Sequence, residues 1–204
     1  ASLWGPKNLI GHYARSTDFQ HFFHLHAANN PTAYDEDVLN LFREKITDPA
    51  PKKLFVLHLL GSHYSFEKRY PLGFGNFSDS YDNSLQYTDF ILAEIITSLK
   101  DNSKSTALFY VSDHGLLLDA CGKKYTHFDN KESYEVPAIL WMSDDKKRQL
   151  GPSLPNLDLN LKKPLTTQTV FDSLIDLSGV SYANSIPQLS FLRSEVNVGE
   201  DRKS

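Results

Sequence analysis

The chain has 204 residues, of which 40% are hydrophobic and 23% charged, and its formal net charge is −4. This length and composition fit one globular domain with a sizeable core. The negative charge and the lack of a long basic run argue against a nucleic-acid partner. No apolar run is long enough to span a bilayer, and the single cysteine, Cys121, excludes an internal disulfide.

The chain also has features of a piece of something larger. It opens on Ala1, and Met142 is its only methionine. We therefore expect a single domain over residues 1–204 that is incomplete at its N-terminus.

The first half of the chain contains two predicted helices and one predicted strand. After about thirty irregular residues, helical spacing of apolar side chains predicts a helix over Thr32–Ile46, capped by Asp35 or Thr32. The apolar run Leu54–Leu60 is typical of a buried strand. Tyr81–Lys100 is the longest predicted helix, and its predicted apolar side consists of Leu85, Phe90, Ile91, Ile95, Ile96 and Leu99.

In the second half of the chain, predicted strands and helices again alternate. Strands are predicted over Thr106–Val111 and Val136–Met142, and a helix over Thr166–Leu177 that ends at Gly179. The last twenty residues are polar, and we expect them to run over the surface. Strands that alternate with helices predict an α/β fold with a mostly parallel central sheet flanked by helices.

An acidic residue and a histidine stand side by side where the strand Thr106–Val111 ends, in the sequence Ser112-Asp113-His114-Gly115. Neither side chain helps a hydrophobic core. Together they offer one hard oxygen and one borderline nitrogen to a divalent metal, and zinc binds this mixture readily. Gly115 allows a sharp turn, which would let both side chains face one point. This pattern predicts a metal site at Asp113 and His114.

The run Leu54–Leu60 ends in a similar way, with Gly61-Ser62-His63. In open α/β sheets, sites form beyond the carboxyl ends of the strands. Two strand ends that carry polar side chains therefore predict one site shared by His63, Asp113 and His114. The alternative is that His63 is an ordinary loop histidine that caps a turn. His58, inside the apolar run, is interpreted as a hydrogen-bonded core histidine, and His24 and His26 as outward-facing.

Several segments, in the same order, resemble the bacterial phosphoethanolamine transferases of the sulfatase and alkaline phosphatase superfamily. The likeness is strong over residues 53–143 and looser over 171–177. Each piece is unspecific alone, but the ordered set is specific. The matching segments are His58–His63, Arg69–Pro71, Tyr81–Ser84, Tyr87–Asp89, Ser112–Gly115, Tyr125–His127, Val136–Pro137 and Leu140–Trp141.

The resemblance implies roles for four residues. Asp113 and His114 would be ligands of Zn²⁺ or another divalent metal, and His63 and His127 would contact the phosphoryl group or a second metal. The family's threonine nucleophile and an acidic ligand lie upstream of the strand-end motif, and nothing before residue 53 matches them. The resemblance thus implies an alkaline phosphatase-like fragment of a larger periplasmic catalytic domain.

One departure from the family pattern bears on activity. Members of the family usually carry glutamate directly after Asp-His-Gly, whereas this sequence has Leu116. A lost glutamate would remove a partner that orients the metal ligands.

The expected function is metal-dependent transfer of phosphoethanolamine from a phospholipid donor to a lipid or glycan acceptor, by a membrane-anchored parent at the periplasmic face of the inner membrane. The chain alone is expected to be inactive. Two alternatives stay open: another hydrolase or phosphoglycerol transferase of the superfamily, or a degenerate binding domain without activity.

Overall fold

The computed structural model describes residues 9–23, 33–102, 105–118, 125–126, 131–194 and 196. They form two compact units. The first comprises the described residues of 1–103 and 112–137, and the second those of 104–111 and 138–204. The single-domain interpretation stays a prediction. No helix in the described part of the chain is long and apolar enough to cross a membrane.

The first unit is mainly helical. Its helices are α1 (Leu9–Ala14), α2 (Asp35–Lys45), α3 (Ser80–Asn102) and α4 (Lys131–Tyr134), with a 3₁₀ turn at Phe66–Lys68. Two short strands, β2 (Leu117–Leu118) and β3 (Tyr125–Thr126), pair antiparallel. Helix α1 falls in the stretch that the sequence analysis interpreted as irregular.

The core of the first unit is the packing of α2 on α3. The helical spacing predicted for α2 is confirmed, because Val38, Leu39 and Phe42 are at most 3% exposed. Helix α3 buries Ile91 and Ile95 in the same core. Outside the core, Arg43 of α2 forms an ion pair with Glu94 of α3.

The apolar side predicted for α3 is partly wrong. Leu85 and Phe90 are 44% and 38% exposed, whereas Ser84 and Tyr87 are buried. The helix has apolar side chains over more than one face, and it packs against α2 through only one of them. Spacing alone does not say which face that is.

The second unit combines a two-stranded sheet with three helices. Strands β1 (Ala107–Val111) and β4 (Ala138–Met142) confirm the two predicted strands. They pair antiparallel, from Ala107 opposite Met142 to Val111 opposite Ala138. The helices of this unit are α5 (Asp144–Leu150), α6 (Leu154–Asn160) and α7 (Thr169–Ser178), and α7 ends as predicted at Gly179, whose φ is +71°.

The strand pairing differs from the prediction. Every strand pair within the described residues is antiparallel, where the alternation of elements predicted a mostly parallel sheet. The segment 54–60 forms no strand there and makes a single β-bridge, at His58. Leu54 and Val56 are 84% and 65% exposed, so this run is not the buried strand that its composition predicted. An apolar run becomes a strand only through a hydrogen-bonded neighbour, and its own sequence does not supply one.

The C-terminal segment does not run over the surface as expected. Phe191 and Leu192 are each 2% exposed and, with Val196, join the core of the second unit. The buried Ser173 hydroxyl of α7 accepts a hydrogen bond from the Phe191 N–H at 3.0 Å. Asn160 of α6 donates its side-chain amide to the Phe191 carbonyl, also at 3.0 Å. Three apolar residues in a polar stretch are too few to show any periodicity, so the sequence does not predict that this segment packs into the core.

The burial of Leu192 predicts that its truncation destabilises the chain. Leu192→Ala should lower the free energy of unfolding by about 2–5 kcal/mol, because it leaves a cavity in the core of the second unit. Leu161→Ala, at a position 56% exposed, is the control and should change it by less than about 0.5 kcal/mol. Urea unfolding of the 204-residue chain measures both. Equal effects of the two substitutions would show that the C-terminal segment is not part of the core.

Candidate functional site

Asp113 and His114 lie in a loop that begins where β1 ends. The Asp113 carboxylate oxygen Oδ1 is 3.8 Å from Nε2 of His114. The Asp113 side chain is 83% exposed and that of His114 37%. An oxygen and a nitrogen that could serve as metal ligands thus lie close together at the surface of the first unit.

The His114 ring is oriented by its own backbone. Its Nδ1 lies 2.9 Å from the carbonyl oxygen of Gly115. A carbonyl oxygen only accepts hydrogen bonds, so Nδ1 is the donor in this contact. In the neutral ring the lone pair is then on Nε2, the nitrogen nearest Asp113. This is the tautomer that a metal ligand or a phosphoryl-binding base needs on that side.

The loop itself is held against α4. Ser112 donates its hydroxyl to the His114 carbonyl at 2.8 Å. The Gly115 N–H donates to the Ser133 carbonyl at 2.9 Å. These two hydrogen bonds fix the backbone on both sides of Asp113 and His114.

The sequence suggested that Gly115 allows a sharp turn, but the structure shows a different need for glycine at this position. Its φ is not in the left-handed region. Instead, a Cβ atom at this position would lie 1.9 Å from the backbone oxygen of Glu132 and 3.0 Å from that of Glu135. The loop therefore reaches its place only because α4 can approach a residue without a side chain.

His63 lies on a second loop that also has defined supports. Gly61 adopts a φ of +53°, which favours glycine. Asp35, the first residue of α2, accepts hydrogen bonds from the N–H groups of Leu60 at 2.8 Å and Gly61 at 2.9 Å. His63 follows two residues later, is exposed, and has its Nδ1 2.7 Å from the Tyr64 carbonyl oxygen. Its Nδ1 is thus a donor as well, which leaves the neutral-ring lone pair on Nε2.

His58, in the segment before His63, has a shifted pKa. Burial lowers the pKa of the half-buried His58, and the negative charge of Asp113 acts in the opposite direction. The site shared by His63, Asp113 and His114 stays a prediction.

The predicted site residues thus divide into three groups. Asp113 and His114 are in contact range, and His63 lies on the loop after His58 in the same unit. His127, like His24 and His26, lies outside the described residues. In the part of the chain that the structure describes, no three His, Cys, Asp or Glu side chains are grouped so as to hold a metal ion.

Sequence reasoning missed the role of Asp35. It was interpreted as a possible helix cap, but the residue at the N-cap is Tyr34, and the Asp35 carboxylate accepts from the His63 loop instead. The sequence around an aspartate at a helix start is the same whether its carboxylate caps that helix or binds a distant loop. No sequence signal therefore separates the two roles.

Comparisons with known proteins identify the family of this chain. The sulfatase family model matches residues 4–180. The chain is 29% identical to phosphoethanolamine transferase EptC of Escherichia coli K12, over 95% of the chain and 37% of that protein. It is 30% identical to Kdo(2)-lipid A phosphoethanolamine 7''-transferase of the same organism, over 48% of the chain and 20% of that protein. The chain therefore spans well under half the length of these relatives.

A solved structure is similar over almost the whole chain. The C-terminal periplasmic domain of EptC from Escherichia coli, in complex with Zn, superposes with a TM-score of 0.81 at 26% identity. The match covers 94% of this chain and 59% of that domain. The predicted fold of the sulfatase type is thereby confirmed, although the strand pairs described here are antiparallel.

The close approach at Gly115 makes a testable prediction. Gly115→Ala should lower the free energy of unfolding by about 1–3 kcal/mol, because its methyl group would overlap the Glu132 carbonyl and displace the loop. Gly151→Ala is the control, since a Cβ there meets nothing within 4 Å. Thermal and urea unfolding of the 204-residue chain measure the difference. Equal stability of the two variants would mean that the loop does not lie against α4.

Proposed function

Because this chain belongs to the sulfatase family and is homologous to phosphoethanolamine transferases, we propose that it is part of a metal-dependent catalytic domain. This domain would transfer phosphoethanolamine from a phospholipid to a lipid or glycan of the cell envelope. The observation that carries the proposal is the pair of donor atoms, Asp113 Oδ1 and His114 Nε2, 3.8 Å apart on an exposed loop.

The donor pair fits a divalent metal. Two ligands of one tetrahedral zinc ion lie about 3.3 Å apart, so a small side-chain rotation would bring Asp113 and His114 to that spacing. Carboxylate and imidazole are common zinc ligands. When bound, zinc would supply Lewis-acid polarisation of phosphoryl oxygens. The similar EptC domain was solved in complex with Zn, which supports this choice of metal.

His63 is proposed to act on the phosphoryl group. Its Nδ1 donates to the Tyr64 carbonyl, so its reactive nitrogen is Nε2. Protonated there, it would donate a hydrogen bond to a phosphoryl oxygen as negative charge develops. His127 is proposed for a similar contact on the resemblance alone.

The nucleophile is proposed to come from sequence outside these 204 residues. In the family that the chain resembles, a threonine upstream of the strand-end motif attacks the donor phosphate, and no segment before residue 53 matches it. Covalent catalysis divides the transfer into two steps, and both need that hydroxyl. The 204-residue chain by itself would then be inactive.

The acceptor and the cellular location of the reaction are proposed from the names of similar proteins. One relative's name specifies a lipid A acceptor, and the similar solved structure is a periplasmic domain. We therefore place this domain on the periplasmic face of the bacterial inner membrane, in a membrane-anchored parent. A binding domain that has lost activity is the alternative, and Leu116 after the Asp-His-Gly motif is the observation that favours it.

Activity measurements test the proposal. In the longer protein that contains this chain, Asp113→Ala or His114→Ala should reduce phosphoethanolamine transfer by more than about 100-fold, because each removes a metal ligand. His63→Ala should cost about 10²–10⁴-fold, and His127→Ala less than the ligand variants. The assay follows labelled phosphoethanolamine from a phospholipid donor to acceptor.

Matched surface variants control that assay. Asp144→Ala removes a carboxylate whose side chain is 85% exposed, and His12→Ala removes an exposed imidazole. Both should keep full activity. An Asp113→Ala enzyme with full activity would end the metal-enzyme proposal, and an inactive unmodified protein would favour the binding domain.

Metal analysis gives a separate prediction. The 204-residue chain should retain well under one zinc ion per molecule after dialysis, since a catalytic zinc site needs about three protein ligands. Elemental analysis measures the ratio directly. Stoichiometric zinc that survives dialysis would mean that further side chains, such as His24 or His26, complete the site.

A further inference from the structure

We infer that Asp35 is a positioning residue for His63: its buried carboxylate clamps the turn that presents the histidine to the phosphoryl group. The inference rests on the proposed function and adds a residue of α2 to the proposed site. Asp35 touches no substrate and would act only through the loop.

The clamp uses both oxygens of one carboxylate. Oδ1 accepts from the Leu60 N–H at 2.8 Å and Oδ2 from the Gly61 N–H at 2.9 Å. Successive N–H groups point to opposite sides of an extended chain and converge only where the chain turns. Gly61, with a φ of +53°, makes that turn. The carboxylate thus binds the loop at the residue where its direction changes.

A charged acceptor suits this position. Asp35 is 2% exposed, so unpaired burial of its charge would be costly. Two hydrogen bonds from backbone N–H groups and the nearby positive charge of Arg69 offset only part of that cost, because burial still raises the pKa of Asp35 above its ordinary value. Arg69 is itself tied to the same loop, because its Nε donates to the Ser65 carbonyl at 3.1 Å.

The loop has a second anchor on α3. Ser84, which is fully buried, donates its hydroxyl to the Tyr81 carbonyl at 2.6 Å, so its oxygen accepts a hydrogen bond from the Ser62 hydroxyl at 2.9 Å. Leu60 and Gly61 are therefore held from α2, and Ser62 from α3, immediately before His63. The histidine is exposed, so these contacts with the two core helices would decide where its ring lies.

The first experiment tests the clamp without any activity. Asp35→Asn keeps the shape of the side chain and one acceptor oxygen. Its NH₂ group replaces the other oxygen and cannot accept a hydrogen bond, so either the Leu60 or the Gly61 N–H loses its acceptor. Amide hydrogen exchange at Leu60 and Gly61 in the 204-residue chain should become at least about tenfold faster, and the His63 ring signals should shift in the NMR spectrum. Glu36→Gln is the control: it removes a charge from the same helical turn, but its side chain is exposed.

Protection of the Val38 and Leu39 amides in the Asp35→Asn chain should remain, which shows that α2 stays folded. Ser84→Ala provides a second variant that removes the α3 anchor alone, and it should also shift the His63 ring signals. Unchanged exchange at Leu60 and Gly61 in Asp35→Asn would overturn the inference, whatever the activity.

The second experiment measures transfer by the longer protein. Asp35→Asn should lower kcat roughly 10- to 100-fold, with little change in KM, because a displaced His63 loses its alignment with the reacting group. Glu36→Gln should leave both constants unchanged. A merely structural Asp35 would lower the unfolding midpoint but leave kcat of the folded enzyme as it is, and that result would overturn the positioning role.

His63→Ala separates this inference from the proposed function. Loss of activity in His63→Ala together with normal kcat in Asp35→Asn would leave the proposed function standing and overturn the clamp's role. Full activity in His63→Ala would instead overturn the part of the proposed function that uses His63. The exchange data would then still show whether the clamp exists, but its catalytic purpose would be refuted.

Discussion

A buried carboxylate connects the helical core of the first unit to the loop that carries His63. Asp35 begins α2, and both of its oxygens accept backbone hydrogen bonds from residues 60 and 61. The helix cannot shift against the loop without breaking charge-assisted hydrogen bonds in a water-poor environment, where they are strongest. The packing of α2 on α3 is therefore also what holds the loop, since Ser84 of α3 binds the next residue, Ser62.

The Asp-His pair depends on a different kind of constraint, the close approach of two backbones. Gly115 lies so near α4 that a side chain has no room, and its N–H is bonded to the Ser133 carbonyl. Short-range repulsion is steep, so any side chain at this position would push the loop away from α4. The bond of His114 Nδ1 to the Gly115 carbonyl leaves Nε2 as the ring nitrogen nearest Asp113.

The histidines of the two loops in the first unit share one hydrogen-bonding pattern. Two histidines each donate Nδ1 to a backbone carbonyl of the residue that follows. This leaves Nε2 as the reactive nitrogen of both neutral rings. Burial lowers the pKa of His58, and the negative charge of Asp113 opposes that shift. Imidazole and carboxylate groups of this kind suit a phosphoryl-transfer site, in which a metal and hydrogen-bond donors neutralise developing charge.

The sequence by itself determined the family, the three longest helices and the strands β1 and β4, and it predicted the residue types of the site. Helical spacing placed α2, α3 and α7, and the strand-end motif identified Asp113 and His114, because local periodicity and short motifs depend on neighbours in the chain. Tertiary structure alone decided the antiparallel pairing of β1 with β4, the burial of Phe191 and Leu192, the exposed face of α3 and the partner of Asp35. Each of these depends on contacts between residues far apart in the chain, such as Asp35 and Gly61. A carboxylate at a helix start can accept hydrogen bonds from the N–H groups of its own helix or from those of a distant loop. Which of the two it binds depends on how α2 packs.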